Sequence, residues 1–212
     1  MTPDVQLPRR TKPVEADPAP LGLAAFAAPT LMLGIVNTGL VASPAIEAVL
    51  PLGLCFGGLG LLTAGNWEFR RGNTFAGTAF TTYGAFWLAL VLYFWIFAVR
   101  TPRAEVHNAI GLFLLVFTII TGYLMVASWR TTTAVAMVFV PLFASFLALC
   151  IGAFSRTEWA TQAGGWLGVV AAAAGFYASA AGVIEATWMS AAREGAVDDV
   201  ALSAAAGTRR SS

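Results

Sequence analysis

Charge is what this sequence has least of: 12 Lys and Arg with 11 Asp and Glu make up 11% of 212 residues, where a soluble domain carries about 25%. That scarcity excludes an ordinary water-facing surface. A net charge of +1 leaves no basic field for nucleic acid, so none is expected as a partner. Cysteine is rarer still. Cys55 and Cys150 lie far apart in apolar runs, without CxxC or Cys/His spacing, and read as small buried hydrophobes rather than a metal or redox site. There are no paired carboxylates, no nucleophile with a base and no phosphate-binding glycine loop. Catalysis therefore has no candidate residues, and neither a cofactor nor a metal is implied. The first 16 residues are polar and proline-rich, without the short apolar core and cleavage site of a secretory signal.

What the sequence has in abundance is apolar length. Hydrophobic residues make up 58% of it, and six runs are almost free of charge: Leu21 to Ala42, Ala48 to Trp67, Phe75 to Val99, Ala109 to Trp129, Thr133 to Phe154 and Ala160 to Ile184. Each reaches the roughly 20 residues that cross a bilayer as a helix. None alternates in pieces of about ten residues, as barrel strands do. The expected fold is an all-α membrane protein with six transmembrane helices in one compact bundle and short loops. Residues 17–190 would form this six-helix domain, with 1–16 and 191–212 as flexible cytoplasmic tails. Nine Lys and Arg fall on one side of the membrane, in both tails and after the second and fourth runs, and three, Arg100, Arg103 and Arg156, on the other. The positive-inside rule then places both termini in the cytoplasm.

Within the first run, an ideal helix puts Phe26, Thr30, Leu33 and Asn37 within about 60° of one another. An amide in hydrocarbon must find partners, so Asn37 faces either neighbouring helices or a wet cavity. Pro29 frees the carbonyl of Ala25 on the same helix. In the third run Thr74, Thr78 and Thr81 make a polar stripe, while Tyr83 falls about 180° from Thr74, so a straight helix cannot present both to one path. The sixth run carries a whole face of small residues, Gly168, Ala171, Ala172, Gly175, Ala178, Ser179 and Gly182, which suits close helix packing or a narrow pore wall. Gly53 and Gly57 make a GxxxG pair of the same kind. His107 reads as a solvated or capping residue at an interface. No Lys or Arg lies within any run, and Glu47, Glu68 and Glu185 sit near the ends. An anion crossing here must be held by neutral donors or travel as the neutral acid, which for a carboxyl of pKa about 4 is on the order of one molecule in a thousand at pH 7.

Three blocks carry a resemblance. Asp17-Pro18-Ala19-Pro20-Leu21-Gly22-Leu23, with Phe26 after a variable pair, is similar to the opening motif of the acetate uptake transporters with Asp17 in place of asparagine. Gly72-Asn73-Thr74-Phe75 followed by Ala79 to Trp87 matches a second motif. Gly164 to Gly168 leading to Tyr177 resembles the last helix. The likeness covers Ala16 to Ile184 and implies a six-helix funnel in each subunit of a homo-hexamer. It also implies proton-coupled or channel-like movement of acetate, succinate or lactate through a cell membrane, in a bacterium the inner one. It places the constriction at Phe26, Tyr83 and Leu142, with Thr30, Asn37 and Gly175 along the path and Asp17, Pro18, Pro20 and Gly22 at an entrance. Two departures are visible: apolar Leu61 stands where the family has glutamine, and Gly175 where alanine is common, which would leave a wider passage. A passive channel for small neutral solutes, such as ammonia or undissociated acid, is the alternative reading.

Overall fold

A computed structural model of the chain describes residues 15–208, with side chains through Met189. The tail expectation for 1–14 and 209–212, with Arg9, Arg10, Lys12, Arg209 and Arg210, lies outside the described residues. Six helices are long and apolar enough to cross a membrane: α1 Ala19–Asn37, α2 Ser43–Arg70, α3 Thr74–Phe97, α4 Val106–Ser128, α5 Thr133–Ser155 and α6 Glu158–Thr208, of which Glu158–Met189 is the apolar span. No strand occurs among the described residues.

The helix ends follow local chemistry. The first apolar run would start α1 at Leu21, just after Pro20. It begins instead at Ala19, because Pro18 is already in the right-handed helical region (φ −81°, ψ −10°) and its carbonyl accepts the Gly22 N–H at 3.0 Å. A proline ring suits that φ, and the first turn needs no N–H from Pro20. Asp17 caps the turn by accepting the Ala19 N–H at 3.1 Å. The Asn73 side chain caps α3 at the Ala76 N–H, 3.2 Å away, and Thr132 caps α5 at Val135, 3.4 Å away.

α2 starts five residues before the expected Ala48, in a 3-10 turn over Ser43–Ala45, and ends at Arg70 rather than Trp67. Its middle is a π-helix over Gly53–Gly60, just after Pro51. Proline lacks the N–H that the α ladder needs at that point, and a shift to wider i→i+5 bonding absorbs the break without ending the helix. α3 also finishes in a π turn, Tyr93–Phe97, closed by Ala98 N–H to Tyr93 C=O at 2.7 Å. At the other end of the chain, α6 runs on through 191–208, the stretch read as a tail.

The helices form a ring in which α3 packs on α2, α2 on α1, α1 on α6, α6 on α5 and α5 on α4. The closing pair, α3 and α4, is the sparsest of the contacts between consecutive spans. The α1–α6 crossing is the opposite case. A Cβ on Gly165 would lie 2.7 Å from the Thr38 backbone nitrogen, and one on Gly34 would lie 3.0 Å from the Gly165 carbonyl, so only glycine lets these backbones approach so closely. Ser179 Oγ donates to the Pro20 carbonyl at 2.7 Å, and Ser145 Oγ to that of Gly164 at 2.7 Å, tying α6 to both α1 and α5. The GxxxG pair in α2 receives a ring rather than a backbone: Cβ atoms on Gly53 and Gly57 would lie 2.8 and 2.7 Å from Trp87.

Candidate functional site

A cavity of about 770 Å³ enters the bundle from the end where α1 finishes and α4 begins. Its open end is bordered by helix ends and turns, where Asn37, Ser43, His107, Arg156, Glu158 and Gln162 stand. Those include all its charged and titratable side chains apart from the buried Tyr83. On α1, α3 and α5, which enter the bundle from the other end, the first cavity-lining residues are Phe26, Tyr83 and Leu142. Being earliest on helices that run toward the opening, they form the floor.

The floor is tightly packed and neutral. Phe26, Tyr83 and Leu142 are 5%, 4% and 4% exposed. The rings of Phe26 and Tyr83 are 5.9 Å apart, and Tyr83 also meets Phe139 at 6.2 Å and stacks on Phe146 at 6.4 Å. Its phenol oxygen lies 3.0 Å from Thr121 Oγ1 on α4. Above it, Phe86 touches Phe113, Phe117 and Phe146 edge-on or tilted, at 4.9 to 5.3 Å. Such arrangements fit the ring quadrupoles.

The residues read from the sequence are placed unequally. Phe26, Thr30, Leu33 and Asn37 share the cavity wall, as the 100° spacing implied. Thr30 spends its hydroxyl proton on the Phe26 carbonyl at 2.6 Å, while Asn37 is half-buried near the opening. Tyr83, not the threonine stripe, faces the cavity; Thr81 instead lies against Gly65 of α2. Gly168 lines the cavity and Gly175 does not. A Cβ on Gly175 would lie 3.2 Å from both Ala27 and the Phe26 ring, so that glycine is the seat behind Phe26 and does not widen the passage. Leu61 is fully buried in the core and is not a cavity residue, so its apolar side chain removes no hydrogen bond from the wall. Tyr177, 66% exposed, turns outward.

The motif read as an entrance stands at the other end of the molecule and lines none of this cavity. It is an anchor. Asp17 accepts a hydrogen bond from the Arg71 guanidinium; Pro20 is held through its carbonyl by Ser179; a Cβ on Gly22 would strike the Phe80 ring at 2.5 Å. Asp17 and Pro18 border only a small separate pocket of about 270 Å³ against Thr63 and Trp67 of α2. In the same corner Glu68 is 1% exposed, with Arg71 Nη1 3.9 Å from its Oε1. Sequence reasoning missed the burial of Glu68 and the role of Thr121. The i,i+3 spacing of Glu68 and Arg71 signalled the first; nothing in one sequence pairs α3 with α4 at Thr121.

A family model described as the GPR1/FUN34/yaaH family matches residues 1–193. Acetate permease A of Emericella nidulans is 36% identical over 187 residues, covering 81% of this chain and 63% of the permease. The succinate-acetate/proton symporter SatP of Escherichia coli K12 is 32% identical over 162 residues, 76% of this chain and 85% of the symporter. The solved structure of the bacterial acetate channel SatP superposes with a TM-score of 0.76 at 30% identity, over 82% of this chain and 95% of that one. The chain spans 61 to 63% of the length of the fungal relatives it matches.

Proposed function

The chain belongs to the GPR1/FUN34/yaaH family, and we propose that it is a multi-pass membrane transporter carrying small carboxylates, acetate before succinate or lactate, along a path inside its own helix bundle. Relatives named as permease, symporter and channel support transport over catalysis. The observation that carries the reading is the cavity itself: open to one side, with its charged groups at the mouth, it ends on a neutral, buried floor of Phe26, Leu142 and one phenol. With no cation in the floor, the Tyr83 hydroxyl is the group there that can donate a charge-assisted hydrogen bond to a carboxylate.

In this reading Phe26, Tyr83 and Leu142 are the constriction, and Thr30 and Asn37 belong to its approach. Residues 17–190 are the transporting domain. Both termini lie in the cytoplasm by the positive-inside count, so the open cavity faces outward, and a bacterial inner membrane is the natural setting. Protons accompany the acid, and six subunits assemble with one path each, as the family resemblance implies. Asp17, Pro18, Pro20 and Gly22 hold the start of α1 rather than receive substrate. Reconstituted protein should take up labelled acetate faster under an inward proton gradient; uptake no greater than that of empty vesicles would remove the reading.

The uncharged floor also favours a second reading, a passive channel for small neutral solutes such as ammonia or undissociated acid. Flux would then rise without saturation and ignore membrane potential, whereas carboxylate transport saturates.

A further inference from the structure

Hydroxyls in this bundle mostly serve their own helix. Thr63, Thr30 and Thr118 donate to the carbonyls four residues back, Leu59, Phe26 and Leu114, at 2.8, 2.6 and 2.8 Å, and Ser128 to Met125 three back at 2.6 Å. That is the ordinary fate of a membrane threonine. Thr121 departs from it. It is 0% exposed, one turn beyond Phe117, and its hydrogen bond is the one to the Tyr83 hydroxyl, at 3.0 Å.

Two hydroxyl groups bring two protons to a single shared bond, so one proton has no protein acceptor among the described residues. A buried donor in that position is costly to leave unmatched. Which group keeps it decides what the site can bind. If Tyr83 donates to Thr121, the spare proton sits on a side chain that lines no cavity. If Thr121 donates to the phenolic oxygen, the spare proton is on Tyr83, the member of the pair that faces the cavity floor. The Tyr83 ring itself is held between Phe26, Phe139 and Phe146, which leaves the direction of the O–H as the adjustable part.

We propose that Thr121 is a positioning residue that donates its hydroxyl proton to Tyr83 and so leaves the phenol proton to a carboxylate oxygen at the constriction. The inference rests on the carboxylate-transport reading and adds to it the residue that sets the polarity of the tyrosine. Hydrogen bonds to an ionised acceptor are stronger than those between neutral groups, so a passing carboxylate takes the proton that no protein atom accepts. The bond also spans the sparsest of the contacts between consecutive spans, beside the Phe86 contacts with Phe113 and Phe117.

Labelled-acetate uptake into proteoliposomes tests this with Thr121→Val, Thr121→Ser, Tyr83→Phe and the Tyr83→Phe/Thr121→Val double variant, each compared at equal reconstituted protein. Thr121→Val should raise the half-saturating acetate concentration by about tenfold, the scale of one charge-assisted hydrogen bond, with a smaller change in maximal rate. Thr121→Ser should stay near the parent, and Tyr83→Phe should show the same rise as Thr121→Val. Adding Thr121→Val to Tyr83→Phe should change nothing further. The inference is overturned if Thr121→Val or Tyr83→Phe leaves the half-saturation unchanged. It also falls if Thr121→Ser is as impaired as Thr121→Val, or if the Thr121→Val effect survives undiminished without the phenol, since either marks a packing role. Absence of acetate uptake by the unsubstituted protein would remove the carboxylate reading and this inference together, a result distinct from all the others.

Discussion

The α1–α6 and α3–α4 contacts are two solutions to the same problem, joining helices where lipid gives no hydrophobic drive. At α1–α6 the side chains are almost absent: Gly34 and Gly165 let the backbones meet, Ala27, Ala171 and Ala172 are fully buried, and Ser179 ties the start of α1. At α3–α4 the side chains are large, with Phe86 against Phe113 and Phe117 and a single buried hydrogen bond between Tyr83 and Thr121. A backbone contact cannot loosen by degrees, because dispersion is lost over fractions of an ångström. Rings and one hydroxyl pair can rearrange. The first contact joins backbones directly, and the second sets rings and one hydroxyl pair beside the cavity that Tyr83 and Phe86 line.

Substitutions that exchange the characters of the two contacts test the contrast. Gly165→Leu puts a side chain where the Thr38 nitrogen already stands and should cost more than about 4 kcal/mol, read as loss of monodisperse protein in detergent. Phe86→Ala removes a ring from the other contact. Its cost should be about 3 kcal/mol, a core aromatic truncation, measured by thermal unfolding, with acetate flux rising because the wall above the constriction is lost. A flux unchanged by Phe86→Ala would place the path elsewhere. Ser145→Ala deletes one bond between α5 and α6 and should lower stability by about 1 kcal/mol, without changing half-saturation for acetate. The smallest effect belongs to Asp17→Asn. Its pair with Arg71 is 53% exposed on the Asp17 side, and such pairs contribute under about 1 kcal/mol. Unfolding and uptake should both stay near the parent; altered acetate uptake would return that segment to the substrate path.

Spans were legible because the bilayer imposes a length on every one of them, and composition reports that length directly. The α1 face from Phe26 to Asn37 was legible for a similar reason, since one helix carries its own geometry. Pairings between helices were not. Gly175 and Gly168 belong to one small face, yet only the second lines the cavity, because the Phe26 ring fills the space at the first. Asp17 and Pro18 carry the motif most easily recognised in the sequence but line none of the cavity, and their contacts are with Arg71 and the first turn of α1. The extra length of α2 at both ends went unread because the added turns carry Ser43, Pro44 and Glu47 at one end and Glu68 and Arg70 at the other, residues that an apolar run leaves out.

The central proposal is that substrate passes through the open cavity toward Phe26, Tyr83 and Leu142. Asn37 stands near the open end of that cavity, and of the two cysteines Cys55 is exposed and Cys150 buried. Asn37→Cys in a Cys55→Ala background, reconstituted and treated with a bulky membrane-impermeant thiosulfonate that forms a mixed disulfide, tests the claim most directly. Acetate uptake should fall in step with labelling and recover when a reducing agent removes the adduct. Complete labelling that leaves uptake unchanged would contradict it.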